Sequence, residues 1–287
     1  MNSIVCVKQI RHIYIQNGYS PKTKGIVHDG VVYVLSPYDE TALEAAIRLR
    51  EETGSGTVTV VTVGPARAEE ALRWCLAMGA DKAIHLLDDD DQHADYWKTA
   101  SLLAEVTRPM DYDLLFFGKK ALDDEAGVIG TYVGELLGLP VVTAVARIGL
   151  PASKRLELER ALDRGNRESL TCSLPAVLTV DPKLNRPRYP TFPGRRAAQA
   201  AGIRQIDAVA IQVQKTAGRM DTVRLAAPKL KPRKMLAPDS NLSQADQLKF
   251  IMTGGMAKKK GGAIGGDPKQ MAGSIIEFLR EKGVIGG

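Results

Sequence analysis

Apolar residues along the first 140 positions follow two alternating rhythms. Ile4-Val5-Cys6-Val7, the TVTVVTV run of 57–63, Ala83 to Leu87 and Leu114-Leu115-Phe116-Phe117 are short, nearly continuous apolar runs. Such runs suit strands buried on both faces. Val31 to Leu35 is a further strand candidate. Between these runs the apolar positions recur at helical spacing: Ala42, Leu43, Ala46, Ile47 and Leu49, then Ala71, Leu72, Cys75 and Leu76. His93 to Val106 is also helical, and Val128, Ile129, Tyr132, Val133, Leu136 and Leu137 make a fourth stripe. Pro37, Gly54-Ser55-Gly56, Gly64-Pro65, Gly79, Gly118 and Gly138-Leu139-Pro140 punctuate the segments. Alternation of strand and helix predicts a parallel α/β sheet with helices on both faces.

After Gly138 the rhythm changes. Val141 to Ile148, Leu156 to Leu162 and Glu168 to Cys172 read as short strands, predicted to append antiparallel sheet to the parallel one. Ala176 to Val180 is a compact β run behind Pro175. Residues 183–196 (KLNRPRYPTFPGRR) hold four prolines or glycines and neither period, which predicts an exposed loop. Residues 11–30 are polar and glycine-punctuated, with one weak hairpin. From Ala226 to Gly266 the chain reads as an arm: prolines, a short helix near Ser243 to Met252, then the flexible run GGMAKKKGGAIGG. A last helix, about 268–282, carries Met271, Ile275, Ile276 and Leu279 on one face. An apolar face at the end of such an arm suggests docking, on this domain or on another subunit. The division is therefore a 1–225 α/β domain and a 226–287 arm.

Composition narrows the class. Hydrophobic residues make up 44% and charged residues 25%, ordinary for a soluble globular protein. No apolar run approaches the ~18–20 residues that span a bilayer. The MNSIVCVKQI start lacks the basic opening and long apolar core of a secretory signal, so a cytoplasmic protein is expected. Cys6, Cys75 and Cys172 stand singly on apolar stretches and read as buried small hydrophobes. The four histidines form no metal-ligand spacing. The acidic run of 88–91 reads as a solvated loop, because it lacks the alternating spacing of a calcium loop. The overall charge of +6 is uneven: residues 183–234 carry thirteen Lys and Arg against Asp207 and Asp221, a local +11 that leaves −5 elsewhere. Aromatic residues do not interleave with these cations as a nucleic-acid stacking surface requires, so no nucleic-acid partner is expected.

Candidate chemistry gathers at one edge. Ligands of parallel sheets bind at the carboxyl ends of the strands. The turns at Ser36 to Asp39, Val63 to Pro65 and Gly118 to Ile129 fall there together, joined by the end of the first strand at Cys6-Val7-Lys8. The stretch Asp113 to Gly138 is a strand–glycine–loop–helix unit, which aims backbone N–H groups and a helix N-terminus at a bound anion. Asp123 or Asp124 is expected to cap that helix. The loop is neither a Walker loop nor a GxGxxG fingerprint. An ordinary strand-to-helix connection remains the alternative to a nucleotide site.

Several of these segments, taken in order, resemble the beta (small) subunit of electron transfer flavoprotein. IVCVKQI resembles the family's first strand. Ser36-Pro37-Tyr38-Asp39-Glu40 before ALEAAIRLRE resembles its NPFxE helix start. Val63-Gly64-Pro65-Ala66 with Leu76 to Asp81, and Gly118-Lys119-Lys120-Ala121-Leu122-Asp123-Asp124, match two more of its segments. Leu174 to Thr179 with Leu184-Asn185-Arg186-Pro187-Arg188-Tyr189 is a looser fifth match, and the likeness covers about 1–198.

The resemblance implies a Rossmann-like fold of the adenine-nucleotide alpha hydrolase-like type, with appended antiparallel strands and an extended C-terminal arm. It implies a non-catalytic electron-carrier subunit that buries a structural AMP. The AMP would touch Cys6, Ser36, Pro37, Tyr38, Asp39 and Val63. It would also touch Gly118, Lys119, Lys120, Ala121, Asp123, Asp124, Glu125, Ala126, Gly127, Val128 and Ile129. The partner would be an alpha subunit that holds FAD, with the arm of 226–287 docking on it. Acyl-CoA or similar dehydrogenases would deliver electrons bound for a quinone reductase or another acceptor. Phe192 would be the apolar anchor of a partner-recognition loop (183–198), with Arg188, Tyr189, Thr191 and Pro193 beside it. Tyr38 replaces the family's Phe and would lie towards the flavin. Gly127 stands where AMP-binding members often carry Asn, and Val128-Ile129 where many carry Gln and Thr or Val, so backbone groups would hold the phosphate. Some relatives bind a second FAD here and bifurcate electrons; the Asp123-Asp124 start favours AMP, while Gly130 is common to both kinds. A stand-alone adenine-nucleotide enzyme or a nucleotide-sensing stress protein are the other readings. The first lacks a nucleophile–base pair, a metal cluster and an adenylylation motif; the second leaves the basic arm unexplained.

Overall fold

The alternating apolar runs become a nine-stranded sheet whose middle is parallel. The computed structural model describes residues 1–11, 19–20, 25–26, 32–89, 95–151, 154–211, 242–252 and 267–281. In chain order the elements open with β1 (Ser3–Cys6), β2 (Gln9–Arg11), β3 (Tyr19–Ser20), β4 (Gly25–Ile26), β5 (Tyr33–Leu35) and α1 (Pro37–Thr53). Next come β6 (Val58–Gly64), α2 (Glu69–Met78), β7 (Lys82–Leu87), α3 (Tyr96–Thr107), β8 (Leu114–Gly118) and α4 (Ile129–Leu137). Then follow β9 (Val141–Ile148), β10 (Arg155–Ala161), β11 (Arg167–Ser173), β12 (Ala176–Val180), α5 (Phe192–Ala200) and β13 (Arg204–Asp207).

The strand order is β11-β10-β9-β12-β8-β1-β6-β7-β13. Every neighbouring pair from β9 to β13 is parallel, and β10 is antiparallel to both β9 and β11. Two expectations change here. Val141–Ile148 is not wholly part of the antiparallel addition: it runs parallel to β12 on one side and antiparallel to β10 on the other. β5 does not join the large sheet but pairs antiparallel with β2 in a ribbon of its own, and β3 and β4 form another.

Side-chain alternation along β1 distributes the two cores. Val5 and Val7 pack with Leu43, Ile47, Leu72 and Cys75 of α1 and α2. Ile4 and Cys6 pack with Leu102, Leu103 and Val133 of α3 and α4. Two helices thus cover each face, and β1, β8 and β12 are buried almost throughout. Each fully buried large aliphatic of these strands contributes ~1.5–3 kcal/mol.

Residues 1–227 form one unit and 228–287 a second. The second contains α6 (Gln244–Met252) and α7 (Pro268–Glu281). On α7, Ile275, Ile276 and Phe278 are exposed. The glycine- and lysine-rich run of 253–266 and most of the basic stretch after 211 lie outside the described residues. Among the described residues no helix is long and apolar enough to cross a membrane.

Candidate functional site

The carboxyl ends of β1, β6 and β8 open into a cavity of about 300 Å³. Its walls come from the turns after those strands, from the start of α3 and from the loop that leads into α4. Cys6, Val63, Leu103 and Phe117 give it an apolar side. Lys8, Arg67, Lys120, Asp88 and Asp124 supply the charges around it. Among the described residues no group of three or more His, Cys, Asp or Glu could hold a metal ion.

Asp39 organises the floor. It lies one turn into α1 and is only 7% exposed. Its Oδ2 accepts the Lys8 amide at 2.8 Å and its Oδ1 accepts the Gly118 amide at 3.0 Å, so one carboxyl ties the ends of two neighbouring strands to a helix. Gly118 permits this approach: a Cβ there would collide with Asp39 Oδ1 and come within 2.7 Å of the Tyr38 Cβ. Burial pushes the Asp39 carboxyl up to about 7, against the pull of the two amides and of Lys8. Burial, reinforced by Asp39, also drives the Cys6 thiol far up, leaving it an unreactive apolar contact.

The loop after β8 is braced from outside. Lys8 Nζ reaches Asp123 and Asp124, each at 2.9 Å. Burial depresses the Lys8 ammonium, but the hydrogen bonds it donates to Asp124 and Asp123 more than offset this, and its pKa is raised overall. The two aspartates therefore do not cap α4, as the sequence led us to expect. That helix starts at Ile129, and the residue before it, Val128, offers no side-chain cap. Asp124 Oδ1 instead accepts the Ala126 amide at 3.2 Å inside the loop. Gly127 has φ +64 and faces the Lys119 carbonyl, which a Cβ would meet at 2.9 Å. Glycine enters this left-handed region without strain and brings no Cβ against that carbonyl. The first amides of α4 cannot find partners within their own helix. They begin at the cavity wall, at Ile129 and Gly130.

Of the residues named from sequence, Cys6, Asp39, Val63, Gly118, Lys120, Ala121, Asp124, Ala126, Gly127, Val128 and Ile129 line the cavity. The others lie beside it. Ser36 is buried and its carbonyl accepts the amides of Asp39 and Glu40. Pro37 opens α1. The Tyr38 ring lies 6.0 Å from Lys120 Nζ, which also pairs with Glu125 at 2.8 Å. Lys119 turns to Asp181, 3.4 Å away. Asp123 takes part through Lys8, and its Oδ1 also accepts the Asp124 amide at 2.9 Å.

Sequence reasoning missed Gln9, Arg67, Tyr96 and Thr99, which also line the cavity. Arg67 stacks 4.5 Å from the Tyr33 ring centroid, and the Gln9 side chain donates to the Arg67 carbonyl at 3.0 Å. The available signal was position alone. Arg67 follows the Gly64-Pro65 turn and Tyr96 opens the helix after β7, so extending the post-strand rule by a few residues would have reached them.

The residues expected to dock a partner lie apart from the cavity, over α1 and α2. Phe192 is 81% exposed and Tyr189 76% exposed. Residues 192–200 are not the loop expected for this region but the helix α5, started by Thr191, whose Oγ1 accepts the Gly194 amide at 3.1 Å. Pro193 falls in its first turn, where its missing N–H costs nothing. Arg188 does not project with Tyr189 and Phe192; its guanidinium is bound to Glu44 and Glu51.

Comparison with known proteins adds the family. The electron transfer flavoprotein domain family matches residues 23–211. An electron transfer flavoprotein subunit beta of Thermoanaerobacterium thermosaccharolyticum is 40% identical over 194 residues, 68% of this chain and 73% of that protein. The Bacillus subtilis protein of that description is 29% identical over 265 residues, 92% of each chain. A caffeyl-CoA reductase-Etf complex subunit, CarD, of Acetobacterium woodii is 37% identical over 195 residues, 68% of this chain and 73% of its own length.

Proposed function

The chain belongs to the electron transfer flavoprotein family, among its beta subunits, and from that membership we propose that it binds AMP as a structural ligand, pairs with an FAD-carrying alpha subunit and docks dehydrogenases. Its role in electron transfer follows from the family; the ligand and the partners are the proposal. In this reading the subunit carries no reaction of its own. FAD on the alpha subunit supplies the redox chemistry, and this chain holds the nucleotide and presents the docking surface.

The observation that carries the AMP reading is the cavity at the carboxyl edge of the parallel sheet, against which α4 begins. The anion would be held by the backbone of Gly127 to Gly130 at the helix N-terminus. Lys8 and Arg67 give the surrounding cationic charge, and Cys6, Val63 and Phe117 offer the apolar side a base needs. At about 300 Å³ the cavity is at the small end of ligand sites, which suits a nucleoside monophosphate better than a flavin dinucleotide. The partner surface would centre on Phe192, a large apolar side chain 81% exposed at the start of α5.

A second reading puts FAD in the same cavity, in an electron-bifurcating complex. It is favoured by the 37% identity to a protein named as a subunit of a caffeyl-CoA reductase-Etf complex. The test is mass spectrometry of the small molecules released when the heterodimer is denatured. AMP and FAD in equal amounts, one of each per heterodimer, are expected. Two FAD and no AMP would replace the first reading by the second, and neither nucleotide beyond the alpha subunit's FAD would reject both.

A further inference from the structure

The chain just before Phe192 is fastened to α1 at several points. Asn185 Nδ2 donates to the Thr41 carbonyl at 3.0 Å, and Arg48 Nη2 donates to the Arg186 carbonyl at 3.1 Å. The Arg188 amide donates to Glu44 Oε2 at 3.1 Å. The Arg188 guanidinium then grips two carboxylates: Nε and Nη2 reach Glu44 at 2.8 and 3.3 Å, and Nη1 and Nη2 reach Glu51 at 2.7 and 2.8 Å. Glu44, Arg48 and Glu51 form one stripe of α1 by helical spacing.

This arrangement is costly if stability is its only purpose. The Glu44 side chain is only 2% exposed while that of Arg188 is 35% exposed, and an ion pair with a buried partner often stabilises no better than apolar residues of the same shape. What the pair does supply is geometry, because a guanidinium bound by two forks has little freedom left. One residue later the chain emerges at Tyr189, and three residues after that at Phe192. A second staple follows: Arg195 lies 5.0 Å from the Trp74 ring centroid and 5.3 Å from that of Tyr189, and the two rings meet edge to face at 5.7 Å.

We propose that Arg188 is the positioning residue of the docking surface: its clamp on Glu44 and Glu51 of α1 holds the 185–189 segment so that Phe192 is presented to the partner already ordered. The inference rests on the reading of Phe192 as docking anchor. An exposed anchor on a fixed support binds without the entropy loss of ordering a loop, so loosening the support weakens docking while every contacting side chain stays in place. Arg188 acts through Phe192 and need not touch the partner.

The experiment uses the FAD-loaded heterodimer as electron acceptor for an acyl-CoA dehydrogenase that reduces the wild type with its acyl-CoA substrate. Arg188→Ala is expected to raise the KM for the heterodimer about tenfold and leave kcat within about twofold, since uniform binding is what it removes. Arg188→Lys, which keeps the charge and loses the fork, should fall between the two. Phe192→Ala should raise KM at least as much as Arg188→Ala, and the double variant no further than Phe192→Ala alone. An unchanged KM in Arg188→Ala, or a double variant whose effects multiply, overturns the clamp while Phe192→Ala still defines the anchor. An unchanged KM in Phe192→Ala overturns the anchor and the clamp with it. Should Arg188→Ala not assemble, Glu51→Gln decides: it removes only the exposed fork, and a KM equal to that of the wild type rejects the proposal.

Discussion

Asp39 holds a carboxyl between two strand ends, and its environment sets an unusual pH dependence. Its ordinary value is 3.8 and burial raises it to about 7. A carboxyl raised on folding binds its proton more tightly in the native state. Its contribution to stability is therefore full below pH 3.8 and is lost as pH climbs through about 7. Glu44 and Glu51 behave oppositely. Burial opposes ionisation of Glu44, but Arg188 and Arg48 outweigh it, and the Arg188 hydrogen bond lowers Glu51. Their contribution is present above the ordinary 4.5 and disappears as pH falls through their depressed values. Asp39→Asn should be destabilised by a margin that shrinks as pH rises from 5 to 8, by up to roughly 3 kcal/mol. Urea melts of both proteins at several pH values measure this, and a margin independent of pH would contradict the assignment. Asp39 was legible as a site residue because it follows Ser36-Pro37, but its bonds to the Lys8 and Gly118 amides join residues far apart in sequence, which no local pattern encodes.

The helices and strands were read where their period was long and uninterrupted, and misread where function or pairing intervened. α5 is the clearest case. Its first residues, Phe192-Pro193-Gly194, look like a loop because proline and glycine break helices in their interiors. At the first turn proline is favourable, and Thr191 before it is an N-cap residue, so the signal was present but read at the wrong position. The other end of α5 is held from α2: Arg73 Nη1 donates to the carbonyls of Ala198, Gln199 and Ala201 at 2.7, 3.1 and 3.4 Å. Arg73→Ala should therefore unfasten the helix locally, by about 1–3 kcal/mol. Hydrogen exchange at residues 195–201 should accelerate while the strands of the main sheet stay protected. Equal acceleration in both places would mean that Arg73 supports the unit as a whole. β5 was read as a strand within the run Val31 to Leu35, but a short apolar run does not say which sheet it joins, and it pairs with β2 outside the large sheet.

At the level of the molecule, one helix serves both sites. Asp39 of α1 braces the cavity, and Thr41, Glu44, Arg48 and Glu51 further along it hold the chain that leads to Phe192. The second unit, 228–287, carries the exposed apolar face of α7. We expect a chain ending at Ala227 to fold and keep the proposed nucleotide, and to bind the alpha subunit more weakly than the full chain. Titration calorimetry of the two chains against that subunit checks this, and equal affinities would make 228–287 dispensable for pairing.

The sequence by itself determined the α/β class, the edge of the sheet at which the cavity opens and part of the cavity's lining. Hydrophobic period decides which segments are strands or helices, and the parallel connection decides which turns meet. The likeness to the flavoprotein beta subunits was legible in the same turns. Tertiary structure alone decided the strand order, the parallel side of β9, the transfer of Asp123 and Asp124 from helix cap to Lys8 partners, and the pairing of Arg188 with the carboxylates of α1. Each of these depends on which distant backbone amide or carboxylate comes within hydrogen-bond reach, and that distance is set by the packed fold rather than by any neighbour in the chain.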